Sequence, residues 1–165
     1  MYGLDKLLTV FPDAAIIQTH RNPVDVLRSQ IELTRVLEAM FARPGDSEQL
    51  GIREARKVGQ FSDYITRFRD ARPDVAGQFI DVTYRELVSD PLAVVKRIYE
   101  RLNLRLTEAA AERMRRLASA RSRYQRREAG PKFGDLGLDG AADAYGFSGY
   151  CSRFGVLSEP AQPKG

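Results

Sequence analysis

The sequence predicts an α/β fold, a short parallel sheet flanked by several helices, and three observations carry that prediction. Two short runs, Ala14 to Thr19 and Gln78 to Tyr84, have the apolar, β-branched and aromatic content of strands. The stretch between them carries apolar residues at helical spacing. A strand, helix, strand order within one sheet implies a parallel pair.

The elements follow in order. Leu4, Leu7, Leu8 and Phe11 recur at helical spacing until Pro12-Asp13 breaks the pattern, so the sequence opens in what reads as the middle of a helix. Ala14-Ala15-Ile16-Ile17-Gln18-Thr19, bounded by turn signals, reads as a central parallel strand buried on both faces. Asn22 suits a helix cap and Pro23 the first turn, and Val26, Leu27, Ile31, Leu33, Val36, Leu37 and Met40 carry that helix onward. Beyond Arg43-Pro44-Gly45-Asp46, a second helix is expected from about residue 48 to 71, on the stripe Ile52, Val58, Phe61, Ile65 and Phe68. The Arg72-Pro73-Asp74 turn leads into the second strand.

A short helix from Arg85 breaks at Asp90-Pro91, and the next carries Leu92, Val95, Ile98, Tyr99 and Leu102. Thr107 caps a further helix running to about Ser122. From Tyr124 to Gly149 Gly and Asp predominate, and Tyr150, Phe154 and Val156 suggest a last short helix. Residues 1–157 are expected to form a single, incomplete domain and 158–165 a disordered tail.

Composition bounds the function. At 165 residues there is room for one modest core, and a 43% hydrophobic share is that of a chain able to offset its ordering entropy. The net charge of +4 comes mainly from arginine and favours anionic partners. The single cysteine, Cys151, excludes an internal disulfide and a cysteine-based zinc site, so a cytoplasmic location is expected. No segment is long and apolar enough for a membrane span, and no ligand cluster suggests a metal.

The segment that carries chemistry is Pro12 to Ser29, in which a buried strand delivers Arg21 to its C-terminal edge, where ligands of open α/β sheets bind. The helix that follows is expected to offer free backbone N–H groups and its positive dipole end to an anion. Arg21 and Ser29 can grip one phosphate together, the guanidinium bidentate and permanently charged, the hydroxyl a directional donor. On pattern alone an ordinary reading stands beside this one, with Arg21 paired to Asp25 and Ser29 a plain helix residue.

The string resembles the second nucleotide-binding motif of the sulfotransferases, in which an arginine after a strand, an Asn/Asp-Pro turn and a serine eight residues on hold the 3′-phosphate of 3′-phosphoadenylyl sulfate. Arg21 and Ser29 match it in type and spacing. Phe79 to Pro91, with Tyr84, Leu87 and Asp90-Pro91, is similar to the signature that follows in the same family, and the resemblance makes Tyr84 an adenine contact. The opening Leu4 to Ala14 and the ending at Gly137-Leu138-Asp139, Tyr150 and Phe154-Gly155-Val156 resemble a mainly bacterial branch. The resemblance implies a partial P-loop NTPase-like sulfotransferase fold and the co-substrate 3′-phosphoadenylyl sulfate, with no metal. Arg126, Arg127 and Lys132 are C-terminal phosphate candidates by position alone.

These residues contain no phosphate loop of the G-x-x-x-x-G-K-[ST] kind or its sulfotransferase counterpart. His20, the sole histidine, suits orientation of the phosphate site better than proton abstraction, so the catalytic base stays unassigned. The expectation is a sulfotransferase-type protein that, when complete, moves sulfonate to an acceptor hydroxyl or amine but is inactive as this chain alone. Either another polypeptide supplies the missing half or the chain is a truncated, non-catalytic remnant, and apolar surface on helix 23–41 favours self-association. A nucleic-acid-binding module on Arg113, Arg115, Arg116, Arg121, Arg123, Arg126 and Arg127 is the competing reading, disfavoured because no aromatic residues interleave the cluster. The acceptor is beyond the sequence.

Overall fold

The computed structural model describes residues 3–41, 47–121 and 146–156. Their contacts divide between two compact units, one of residues 21–41, 47–73 and 146–156, the other of residues 3–20 and 74–121.

The second of these units holds the sheet. Helix α1 (Leu4–Val10) buries Leu4 and Leu8. Strands β1 (Ile16–His20) and β2 (Phe79–Thr83) pair in parallel, in the register Ile16 to Phe79 through His20 to Thr83. A 3₁₀ segment, Pro73–Gln78, leads into β2 where the sequence suggests only a turn. The Gln78 side-chain amide donates to the Pro12 carbonyl, tying the entrance of one strand to the approach of the other. Helices α4 (Tyr84–Ser89), α5 (Pro91–Arg101) and α6 (Glu108–Arg121) follow, with α5 packed on β2.

Burial in the sheet is lopsided. In β2, Ile80 and Val82 are buried, whereas Ile17 on the same face of β1 is 49% exposed. The expected two-sided burial of β1 is therefore not met: α5 covers β2, and among the described residues β1 has a strand on one side only. An apolar run announces that a strand can be covered, not how many neighbours it has.

The caps follow the residues that suggest them. Asp90 accepts from the Ala93 N–H at 2.9 Å with Pro91 in the first turn of α5, and Thr107 accepts from the Ala110 N–H at 3.3 Å. At the end of α5, Asn103 takes a left-handed φ of 52°, and its N–H and that of Leu104 donate back to Glu100 and Tyr99.

The other unit is helical. Helix α2 (Pro23–Phe41) and helix α3 (Ser47–Ala71) pack on one another and on α7 (Phe147–Phe154) through Leu27, Ile31, Leu50, Ala55, Val58 and Phe147. Helix α7 starts three residues ahead of Tyr150 because Gly146, at φ 68°, turns the chain into it. Glu54 is wholly buried on α3, and one carboxylate oxygen accepts from Arg53 at 3.2 Å and Lys57 at 2.8 Å. The distal half of α2 leaves Leu33, Val36, Leu37 and Met40 exposed, the apolar surface expected of it.

Candidate functional site

Both strands run into helices at their C-terminal ends, the edge where an open parallel sheet presents ligands. Between β1 and α2 lie two residues, Arg21 and Asn22. Asn22 is buried, and its side-chain oxygen accepts from the Val24 N–H at 2.9 Å while its carbonyl accepts from Asp25 and Val26. Pro23 has no N–H to offer. Every donor of the first turn of α2 is thus absent or taken, which corrects the expectation of free backbone N–H groups for an anion. The same asparagine that starts the helix satisfies its donors, so an anion here must be gripped by side chains, with only the dipole to help.

Two side chains are suited to that. Arg21 is half-buried directly after β1. Ser29 is exposed on α2, and among the described residues its hydroxyl has no hydrogen-bond partner. The Asp25 carboxylate forms no ion pair among the described residues, so the Arg21 to Asp25 pairing of the ordinary reading does not form. No hydrogen bond joins Arg21 to Ser29 either.

The end of β2 is built differently. Thr83 is the last strand residue and the cap of α4 at once: its hydroxyl accepts from the Glu86 N–H at 3.2 Å, and the Glu86 carboxylate accepts from the Thr83 N–H at 2.8 Å. The bond from the Thr83 N–H and a second one at 2.9 Å, in which the Thr83 hydroxyl donates to the same carboxylate, hold the Glu86 carboxyl below the ordinary glutamate range, and Arg97 at 3.3 Å adds to the effect. Tyr84 is the next residue, exposed at the start of α4.

His20 closes β1 and is 1% exposed. Its Nε2 lies 2.9 Å from Oδ1 of Asp81, whose side chain is 41% exposed. Parallel register with period-two alternation puts Ile16, Gln18 and His20 on one face with Phe79, Asp81 and Thr83, so the pair meets diagonally across the sheet. Asp81 is the residue that sequence reasoning missed, and only the strand register could have found it. Arg126, Arg127 and Lys132 lie outside the described residues, as does the tail 158–165.

Two arginines of the α6 basic cluster are paired within their own helix. Arg115 meets Glu108 at 2.9 Å and Glu112 at 2.7 Å, and Arg116 meets Glu112 at 3.2 Å, so those two guanidiniums are partly neutralised. Arg123 lies outside the described residues. Burial pushes the Cys151 thiol up, away from the thiolate that a nucleophile would need. Among the described residues no group of three or more His, Cys, Asp or Glu side chains is placed to hold a metal ion, and no helix is long and apolar enough to cross a membrane.

A parallel strand pair that hands an arginine and a capped helix from one strand and a tyrosine-led helix from the other defines an α/β protein of strand-to-helix units. The chain belongs to the sulfotransferase family, whose profile matches residues 1–108. Among solved structures it is similar to the sulfotransferase STF9 from Mycobacterium avium, with a TM-score of 0.80 and 26% identity over 97% of this chain. The match covers 41% of the STF9 chain, so this chain spans less than half the length of that protein. No curated protein matches.

Proposed function

We propose that this chain binds the 3′-phosphate end of 3′-phosphoadenylyl sulfate, and of its product adenosine 3′,5′-bisphosphate, through Arg21 and Ser29. The observation that carries the reading is the β1 to α2 turn, where Asn22 consumes the helix donors and leaves the gripping of an anion to side chains. A guanidinium and a free hydroxyl fit a terminal phosphate monoester, to which the one gives charge and a fork of donors and the other a single directed bond. By its place in the family motif Tyr84 is the adenine contact, an aromatic face for the base with a hydroxyl to orient it.

In the complete domain the sulfonate passes from the phosphosulfate to an acceptor hydroxyl or amine, which loses a proton, and the bisphosphate leaves. Such transfer rests on positioning and on cationic donors at the leaving phosphate. The 165 residues contain no phosphate loop, so for this chain alone the reading is binding without turnover. It assigns the exposed apolar face of α2 to the phosphate-loop part of the domain, and it places the protein in the cytoplasm, in keeping with its single cysteine.

Calorimetric titration with adenosine 3′,5′-bisphosphate tests this. Micromolar binding is expected, about −8 kcal/mol. Arg21→Ala, which removes a full charge and a fork of donors, should weaken it the more, and Ser29→Ala, which removes one bond to the charged phosphate, should weaken it roughly tenfold, in line with about 1.5–3 kcal/mol for a hydrogen bond to a charged group. Adenosine 5′-phosphate, lacking the 3′ group, should bind the wild type and Arg21→Ala alike. Equal affinity of both proteins for the bisphosphate would end the reading.

A further inference from the structure

We infer that Asp81 and His20 form a positioning pair that fixes the backbone from which Arg21 departs, an inference that rests on the nucleotide-binding reading above. A histidine that is 1% exposed at the end of a strand is costly unless its ring nitrogens are matched, and an apolar residue would fill the same space without that demand. Asp81 supplies the match. Its carboxylate can only accept, so the Nε2 atom 2.9 Å away carries the proton, which sets both tautomer and ring orientation.

The consequence falls on the next residue. Only Arg21 and Asn22 join β1 to α2, and Asn22 is pinned on its own side by the bond from the Val24 N–H. Arg21 therefore sits between two held residues, His20 tied across the sheet to β2 and Asn22 tied to the helix. A long, flexible side chain loses affinity when its root can move, because binding must then supply the ordering. Holding the root from both sides removes that cost before the ligand arrives. Asp81 acts through His20 and the peptide bond to Arg21, and neither member of the pair is assigned a contact with the nucleotide.

Because His20 is the only histidine in the chain, its imidazole nitrogens give an unambiguous nuclear magnetic resonance signal in the ¹⁵N-labelled full-length protein. The wild type should show a proton on Nε2. Asp81→Ala should lose that single state and bind adenosine 3′,5′-bisphosphate roughly three- to tenfold more weakly, the worth of one hydrogen bond. Asp81→Asn, which keeps an acceptor oxygen at the same reach, should restore most of the affinity. Circular dichroism melting identifies any variant that fails to fold, and the exposed Asp81 side chain makes that outcome easy to separate through the Asn variant.

An Nε2 without a proton in the wild type overturns the pair itself. A changed ring signal in Asp81→Ala with unchanged affinity overturns the positioning role while leaving the nucleotide reading intact. If the wild type fails to bind the bisphosphate although its ring state is as expected, the nucleotide reading falls and the positioning role falls with it.

Discussion

The two strand-to-helix turns of this chain share a topology and differ in how they are held. Helix α2 begins with Asn22 as its cap, but what anchors it is burial, since Leu27 and Ile31 are fully enclosed against Leu50, Ala55, Val58 and Phe147. Helix α4 has six residues and buries none of them, so its start depends on the reciprocal bonds of Thr83 and Glu86. A helix that short has no stability of its own in water. The lesson is in what holds each helix: α2 is held by its buried face and its Asn22 cap only sets where it starts, whereas α4, with no buried face, depends on its cap.

The largest expected effect tests the buried side of that contrast. Leu27→Ala removes a side chain with no exposure from the contact of α2 with α3 and α7, and should lower global stability by about 2–5 kcal/mol in denaturant unfolding. A loss near that of a surface truncation would mean α2 is held by its cap after all. Thr83→Ala comes next, since it deletes the hydroxyl that accepts from the Glu86 N–H and donates to the Glu86 carboxylate. It should cost about 1–2 kcal/mol, the upper part of the range for caps, and hydrogen exchange should locate the loosening at residues 84–89. Protection in that segment equal to the wild type's would refute the view that α4 depends on its cap.

Much of this contrast was legible in the residues. The apolar spacing from Val26 onward, with Asn22-Pro23 ahead of it, marks α2 over its observed length, and Asp90-Pro91 and Thr107 mark the starts of α5 and α6. The second strand ends one residue earlier than its aromatic run suggests, because Thr83 takes the cap and releases Tyr84 to the helix. A Thr-x-x-Glu pattern there is the local signal for it. What local pattern does not contain is the pairing across the sheet. The meeting of His20 with Asp81 depends on a register between residues 61 positions apart, and the 49% exposure of Ile17 depends on how many strands flank β1. The consumption of the α2 donors was likewise hidden, since a capping asparagine announces one bond and here accounts for three.

The smallest effect is also the most selective for the β2 turn. Glu86 is held below the ordinary glutamate value of 4.5, first by the Thr83 backbone N–H, then by the Thr83 hydroxyl, and through Arg97 as well. A carboxyl depressed in the folded state contributes stability that is fully present above its unfolded value and is lost as pH falls through the folded one. The wild type should therefore lose stability below about pH 4.5 partly through this group. Glu112, lowered by Arg115 and Arg116, titrates in the same range, so the informative quantity is the difference between wild type and Glu86→Gln. Glutamine keeps the reciprocal bond to the Thr83 N–H but not the charge, so the variant should be less stable at neutral pH by the share the charge contributes, and its acid loss should be shallower by the same share. Because the Glu86 side chain is 44% exposed, high salt should screen the Arg97 share and leave the hydrogen-bonded share in place. Acid limbs that superimpose for the two proteins would mean that the turn draws on the geometry of the bond and not on the charge it carries.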